Sequence, residues 1–316
     1  MNILYIDHGS AVSDSNMYQY YGDLYRELKE LENVHLFEGR LGNINSLLKQ
    51  ALVEFDCIIF GLGYFSQNNS SVYQKIEGLD ELNIPVVCYL HKPQTLLEEK
   101  LQFCKINKVD LLLDSQSTYR RHGEIAETKS IRSWFTATPK LYYPREVEEK
   151  YDIGFSGALH GDGKIFGPTR DLRVRIRNLL ATTKYNIFWN ASNTLEYRIN
   201  SFEEYATKIN ESKVWLATTG PTEDVSPRYF EVMLSKTLLF CNDMPEQYDG
   251  LFKDGINCVT FKNDLSDFTE KLSYYLENNE EREKIIEEAY DSAINNFTWK
   301  HMALKLLGEI KKCPSK

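Results

Sequence analysis

The residues best suited to hold a charged ligand lie between Thr218 and Asp243, in the run Thr218-Thr219-Gly220-Pro221-Thr222-Glu223-Asp224-Val225-Ser226-Pro227-Arg228-Tyr229-Phe230-Glu231. An apolar segment ending at Ala217 predicts a strand, the Pro-containing polar segment predicts a loop, and a short helix carrying Arg228 and Glu231 precedes the next apolar strand at Leu238. A carboxylate on such a helix can accept bonds from two ribose hydroxyls, and a helix start with a nearby arginine suits a phosphate. Glu223 and Glu231 have seven residues between them and stand at opposite ends of the loop-helix unit.

A second stretch, Tyr151-Asp152-Ile153-Gly154-Phe155-Ser156-Gly157-Ala158-Leu159-His160-Gly161-Asp162-Gly163, reads as a strand running into a glycine-dotted loop ahead of the basic segment Arg170 to Arg177. Glycines let a backbone come close to a diphosphate, and amides and arginines neutralise it. Arg170, Arg173 and Arg177 share a helix face by their spacing and Arg175 points elsewhere, so the segment is either a phosphate contact or a solvated helix. In the first half of the chain, His91 follows an apolar run and is itself followed by Lys92 and Pro93. A histidine at the carboxyl end of a buried strand either takes a proton from a substrate hydroxyl or bonds the backbone of its turn. Asp7-His8-Gly9, Gly61 and Gly63 occupy equivalent places after other strands, where glycines also serve turn geometry. The His, Cys and acid spacings make no zinc site, no Asp-x-Asp follows a strand convincingly, and no G-x-S-x-G marks a serine hydrolase, so no metal is expected.

The elements that must position these residues alternate regularly. Short apolar runs at Ile3 to Asp7, Val34 to Phe37, Cys57 to Phe60, Val86 to Leu90 and Leu111 to Leu113 alternate with helical patterns, which predicts a parallel sheet wrapped by helices. After a lapse at Pro139 to Lys150, where two prolines and a charged cluster suggest the interdomain linker, a second α/β series begins. Its strands are expected at Asp152 to Ser156, Asn186 to Trp189, Val214 to Ala217, Leu238 to Cys241 and Cys258 to Phe261. Helices are expected at Asp264 to Asn278 and Glu280 to Asn296. The last, Trp299 to Lys312, is amphipathic with Met302, Leu304, Leu306, Leu307 and Ile310 as packing positions.

The chain has 316 residues, enough for two domains. Its formal charge of −9 offers no basic footprint for a phosphate backbone, which argues against a nucleic-acid partner. No apolar run reaches the ~18 residues of a membrane span, and Met1 to His8 reads as a strand rather than a leader, so a cytoplasmic location is expected. Six scattered cysteines without a C-x-x-C pair read as reduced core thiols.

From Val225 to Asn242, and on through Asp249-Gly250-Leu251-Phe252-Lys253-Asp254-Gly255-Ile256-Asn257-Cys258 to Phe297, the sequence resembles the C-terminal half of CgeB-type glycosyltransferases of the GT-B group. Ser226-Pro227-Arg228-Tyr229-Phe230-Glu231 matches that family's Arg-x-Phe-Glu helix start, and Glu223 with Glu231 fits the E-x7-E spacing of related retaining enzymes. The resemblance implies two Rossmann-like domains whose parallel sheets face each other across a cleft: an acceptor-side domain over 1–145, a nucleotide-sugar-binding domain over 146–298, and a C-terminal helix over 299–316 that returns toward the first domain. It implies a nucleoside diphosphate sugar as co-substrate, no further cofactor, and a carbohydrate, lipid-linked or small-molecule hydroxyl as acceptor, in a role such as glycan biosynthesis. It also implies that Glu231 binds the donor ribose, Glu223 lies near the donor sugar, and Arg228 and the loop around Ser226 face the diphosphate. By the same resemblance Gly157 lies in the loop after the first strand of the donor domain with Arg173 as a further phosphate contact, and Tyr229 is among the donor-binding residues. His91 is the acceptor-side candidate. The family usually has glycine where Lys236 stands, which leaves open whether Lys236 reaches the ligand. A nucleotide-sugar epimerase of the same fold and a non-catalytic two-lobed binding protein are the alternatives.

Overall fold

The computed structural model describes residues 1–8, 19–93, 95–116, 118–159, 169, 171–192, 199, 201–220, 224–248 and 250–313. The chain forms two compact units, Met1–Trp134 with Trp299–Lys316, and Phe135–Thr298.

The first unit contains β1 (Asn2–Asp7), α1 (Asp23–Leu31), β2 (Asn33–Glu38), α2 (Ile44–Gln50), β3 (Cys57–Phe60), β4 (Val86–Leu90), α3 (Leu97–Ile106), β5 (Leu111–Asp114), α4 (Tyr119–Ile125) and β6 (Lys129–Arg132). Its strands form one parallel sheet in the order β2-β1-β3-β4-β5-β6. Every residue of β3, β4 and β5 is buried, because strands covered by helices on both faces have no solvent side and need no alternation. Lys129-Ser130-Ile131-Arg132 carries one apolar residue, so hydrophobic periodicity does not announce β6. It pairs with β5 at the sheet edge, where a strand need not be apolar.

The second unit contains β7 (Tyr151–Gly157), α5 (Leu172–Leu180), β8 (Ile187–Ala191), α6 (Phe202–Asn210), β9 (Ser212–Ala217), α7 (Arg228–Leu234), β10 (Leu238–Asn242), β11 (Val259–Phe261), α8 (Phe268–Glu277) and α9 (Asn279–Asn296). Its sheet is also parallel, in the order β11-β10-β9-β7-β8. Ile153, Phe155, Val214, Leu216, Leu238, Phe240 and Phe261 form its core with Leu172, Ile176 and Leu180 of α5.

The final helix, α10 (Trp299–Ile310), belongs to the first unit and packs on α1. Trp299, Met302, Ala303, Leu306, Leu307 and Ile310 are buried, whereas Leu304, expected on that face, is exposed. The boundary between the units also falls earlier than the proline-rich stretch suggested. Residues 135–150 belong to the second unit: the Arg145 amide donates to Asn210 Oδ1 at 2.8 Å, Tyr142 meets the Tyr205 ring edge-on, and Lys150 pairs with Glu211 at 2.5 Å. Prolines and charges mark an extended strap, and side-chain partners decide which core it joins.

Both sheets wind outward from their first strand, β1 lying between β2 and β3, and β7 between β8 and β9. At such a reversal the following loops diverge to opposite faces and leave a crevice beyond the carboxyl ends of the strands.

Candidate functional site

In the second unit the reversal lies between β7 and β9, and Arg173 ties the loops that leave these two strands. Its Nε donates to Thr218 Oγ1 at 2.7 Å, its Nη1 to the Ala158 carbonyl at 2.6 Å, and its Nη2 to the Thr218 carbonyl at 3.4 Å. Arg173 is only 6% exposed, so its charge is fixed beneath the crevice. The neighbouring Arg177 is exposed and Arg175 pairs with Asp171, so the expected basic face reduces among the described residues to Arg173.

Arg228, in the first turn of α7, reaches the same place. Its Cζ lies 5.3 Å from the centroid of Phe155 and that of Arg173 lies 5.5 Å from it, so one ring at the end of β7 gathers two guanidinium groups. Gly157 makes the approach possible. Its φ of +152° favours glycine, and a Cβ there would lie 2.7 Å from Arg228 Nη2.

Three polar atoms beside this pair are buried without a hydrogen-bond partner among the described residues: Arg228 Nε, Ser226 Oγ and Tyr229 Oη. Buried polar groups are ordinarily bonded, so these three atoms are exceptions gathered within four residues. Ser226 and Arg228 remain partly accessible. Tyr229 does not: it is 0% exposed with its ring against Phe252.

Glu231, one turn beyond Arg228, is 8% exposed, and its Oε2 accepts a bond from the Tyr205 hydroxyl at 2.9 Å. Tyr205 comes from α6, and sequence patterns did not single it out because a tyrosine in an amphipathic helix has the signature of any core residue. Glu223, His160 to Pro168 and Arg170 lie outside the described residues. Lys236 is turned away: its Nζ pairs with Glu287 at 2.5 Å and sits 4.8 Å from the Tyr290 ring centroid. Its φ of +51° is a conformation that glycine adopts freely and that penalises a side chain.

In the first unit, the ends of β1, β3 and β4 bring Asp7 and His8, the turn Gly61 to Gly63, and His91 to one edge. Asp7 is buried and its Oδ1 accepts the His8 amide. A Cβ on Gly61 would lie 2.3 Å from the Tyr5 hydroxyl oxygen, so that glycine serves packing. His91 stands edge-on to Tyr21. Burial, with the charges of Lys92 and Lys100, holds its imidazole well below the usual range, so it is neutral at pH 7. Lys100, 0% exposed and not foreseen, donates to the His91 and Lys92 carbonyls at 2.9 Å each and fixes the loop. At the end of β5, Asp114 bonds His122 Nδ1 at 2.6 Å, and His122 Nε2 lies 3.1 Å from Thr118 Oγ1.

No group of three His, Cys, Asp or Glu side chains among the described residues converges in a way that could hold a metal ion. Nor is any described helix long and apolar enough to cross a membrane. The cysteines are free, and five of the six are buried.

Two parallel sheets wound in the same sense, with paired guanidiniums and a carboxylate at the reversal of the second, define a two-unit α/β protein of the GT-B fold. The sucrose-phosphate synthase of Thermosynechococcus elongatus shares this fold at a TM-score of 0.62 and 11% identity, the match covering 99% of this chain and 98% of that one. HepE of Anabaena, solved in complex with UDP-glucose, matches at a TM-score of 0.58 and 11% identity over 99% and 100% of the two chains. An alpha-glucosyltransferase solved with UDP and a 13-mer DNA containing an HMU base matches at 0.57 and 10% identity over 99% of both. No curated protein matches the chain in sequence. The glycosyl transferase-like family model matches residues 150–308, half of the chain. The chain therefore belongs to that family, and it is a glycosyltransferase.

Proposed function

We propose that the protein transfers a sugar from a nucleoside diphosphate sugar to a hydroxyl acceptor, without a metal ion, and that its second unit holds the donor. Glu231 takes the ribose hydroxyls; Arg228 and Ser226 take the diphosphate; Gly157 allows the close approach; Arg173 contributes charge from below. The observation that carries this reading is the buried, unpartnered Arg228 Nε beside Ser226 Oγ at the reversal of the second sheet. A diphosphate oxygen would satisfy both atoms, and the two guanidiniums would favour its charge. HepE, of the same fold, was solved with UDP-glucose, which makes uridine diphosphate the first donor nucleotide to try.

In the reaction the bond between the anomeric carbon and the diphosphate oxygen breaks, a bond to the acceptor oxygen forms, and the acceptor hydroxyl loses its proton. Negative charge grows on the departing diphosphate, where cations fixed before the reaction stabilise it most effectively. Glu223 is assigned to the donor sugar and His91 to the acceptor. With the E-x7-E spacing, this favours a product of retained configuration and a CgeB-type relationship. The acidic chain argues for a carbohydrate, lipid-linked or small-molecule acceptor over a nucleic acid.

A thermal-shift screen across UDP, GDP, dTDP, CMP and ADP tests the donor site, because a ligand that binds only the folded state raises the melting temperature. One nucleotide should give a clear rise that Glu231→Ala abolishes. Full nucleotide affinity in that variant would remove Glu231 from the site. The proton coupling of the product's anomeric centre distinguishes retention from inversion.

A further inference from the structure

The carboxyl edge of the first sheet carries, at the end of β5, three polar side chains that neither the donor site nor His91 uses. Asp114 is 0% exposed and both of its carboxylate oxygens are engaged: Oδ1 accepts the Gln116 amide at 2.8 Å and Oδ2 bonds His122 Nδ1 at 2.6 Å. His122, in α4, is 6% exposed, and its Nε2 lies 3.1 Å from Thr118 Oγ1. Thr118 is exposed and stands at the N-cap of α4. A threonine there ordinarily accepts a bond from one of the first helix amides. Thr118 makes no such bond, and its hydroxyl is turned to the imidazole instead.

The direction of these bonds follows from the groups. A carboxylate can only accept, so the ring proton sits on Nδ1, and Nε2 keeps a lone pair to which the Thr118 hydroxyl donates. An exposed hydroxyl, a base beneath it and a carboxylate that orients the base form the arrangement that makes an alcohol a nucleophile. Glycosyl transfer supplies an electrophile suited to an alcohol, the anomeric carbon of a sugar nucleotide. Thr118 also follows a strand end at the same edge as His91, the edge assigned above to the acceptor.

We propose that Thr118 is itself an acceptor: the protein attaches a sugar to this hydroxyl, with His122 as general base and Asp114 as the residue that positions the base. The proposal rests on the donor reading above and extends it to an acceptor within the chain. The bond between the anomeric carbon and the diphosphate oxygen breaks, and its electron pair leaves with the nucleoside diphosphate. Thr118 Oγ1 supplies the pair for the new bond to the anomeric carbon. Its proton passes to His122 Nε2, giving an imidazolium held by the Asp114 carboxylate, and is then lost to water.

The test incubates the full chain with UDP-glucose, UDP-galactose, UDP-N-acetylglucosamine, GDP-mannose, dTDP-glucose and ADP-glucose, without added acceptor, and follows the intact mass. Thermal shift reports which of them binds. A sugar nucleotide that binds should raise the mass by at least one sugar residue, and peptide mapping should place that sugar on Thr118. Thr182 is also exposed, but its hydroxyl donates to the Leu179 carbonyl, so it should carry none. Thr118→Val should abolish the gain in mass and Thr118→Ser should retain it. His122→Gln, whose amide can still donate to Asp114, should slow the modification by about a hundredfold, the scale of a general base. Asp114→Asn should slow it as well, because an amide at that place can donate to Nδ1 and leave the proton on Nε2. Should these two buried variants not fold, the contrast between Thr118 and Thr182 still decides. A bound sugar nucleotide that leaves the mass unchanged, sugar on Thr182 or another hydroxyl in place of Thr118, or folded His122→Gln protein modified at the wild-type rate overturns the proposal while the donor reading stands. If none of these compounds binds, the donor reading fails and the proposal with it.

Discussion

The same winding order produces two reversals in this chain, and they are furnished in opposite ways. Beyond β1 and β3 in the first unit stand a buried carboxyl group, Asp7, and a glycine whose missing side chain is filled by Tyr5. Beyond β7 and β9 in the second unit stand Arg173 and Arg228, gathered on Phe155, with a serine hydroxyl left unbonded. Topology makes a crevice in both, but side-chain charge decides what can occupy it. A buried carboxyl group disfavours a phosphate, while two fixed guanidiniums favour one. The cations of the two units also differ in how they are used. Lys100 of the first unit is bound to its own backbone carbonyls, whereas Arg228 of the second keeps a buried nitrogen without a partner among the described residues.

The largest expected effect falls on the second crevice. Arg228→Ala removes charge and two or more bonds to the diphosphate, and should weaken nucleotide binding by about a hundredfold, or about 3 kcal/mol, in calorimetric titration. A loss below threefold would erase the contrast between the two reversals.

Gly61→Ala should act on the other side of the comparison. A methyl group 2.3 Å from the buried Tyr5 hydroxyl oxygen must displace a packed ring. Urea unfolding should report a loss of about 2 kcal/mol, within the range for overpacked cores, with nucleotide affinity unchanged in the protein that remains folded. Weakened nucleotide binding would mean that the first reversal also serves the donor.

Gly157→Ala sets a methyl group against the movable end of Arg228, 2.7 Å from Nη2. The guanidinium can swing aside, so nucleotide affinity should fall about tenfold, with a strain cost near 1 kcal/mol in stability. Equal effects on stability and binding would show that Gly157 serves the backbone alone.

The last effect concerns pH. Burial, then the charge of Lys92, pushes the Lys100 ammonium down from 10.5 to about 7. Below pH 7 the amine is protonated in both the folded and unfolded chain, and the cost of burying its charge is present in full. Between about pH 7 and 10.5 the folded protein releases a proton that the unfolded chain keeps. Stability therefore rises with pH across that window, by at most about 1.4 kcal/mol per unit. Unfolding midpoints at pH 6, 8 and 9 should show this rise in wild type and a flatter profile in Lys100→Met. Parallel profiles would mean that Lys100 titrates normally.

Strand positions were readable in the sequence wherever a strand is buried on both faces. Cys57–Phe60 and Val86–Leu90 begin and end where their apolar runs do, because a fully covered strand has to be apolar throughout. β6 could not be read that way, being an edge strand, and neither could the membership of residues 135–150, which depends on partners 61 and 65 residues further along. The candidate site divides along the same line. Gly157, Arg173, Ser226, Arg228 and Glu231 are visible as residue types placed after strands. Tyr205 and Lys100 are not visible, since a tyrosine or lysine in a helix is ordinary until its hydroxyl or ammonium is seen against a particular atom.

Local order, then, came from the chain alone: which segments are strands, which are helices, and that polar and glycine residues gather where parallel strands end. Period and composition are properties of neighbours in sequence, and they need no knowledge of the rest of the molecule. The folded structure decided which of those residues meet. It turned Lys236 outward to Glu287, buried Tyr229 and brought two arginines from different helices onto one phenylalanine. Distances between residues remote in sequence are set by how helices pack on the sheet, and charge acts through those distances.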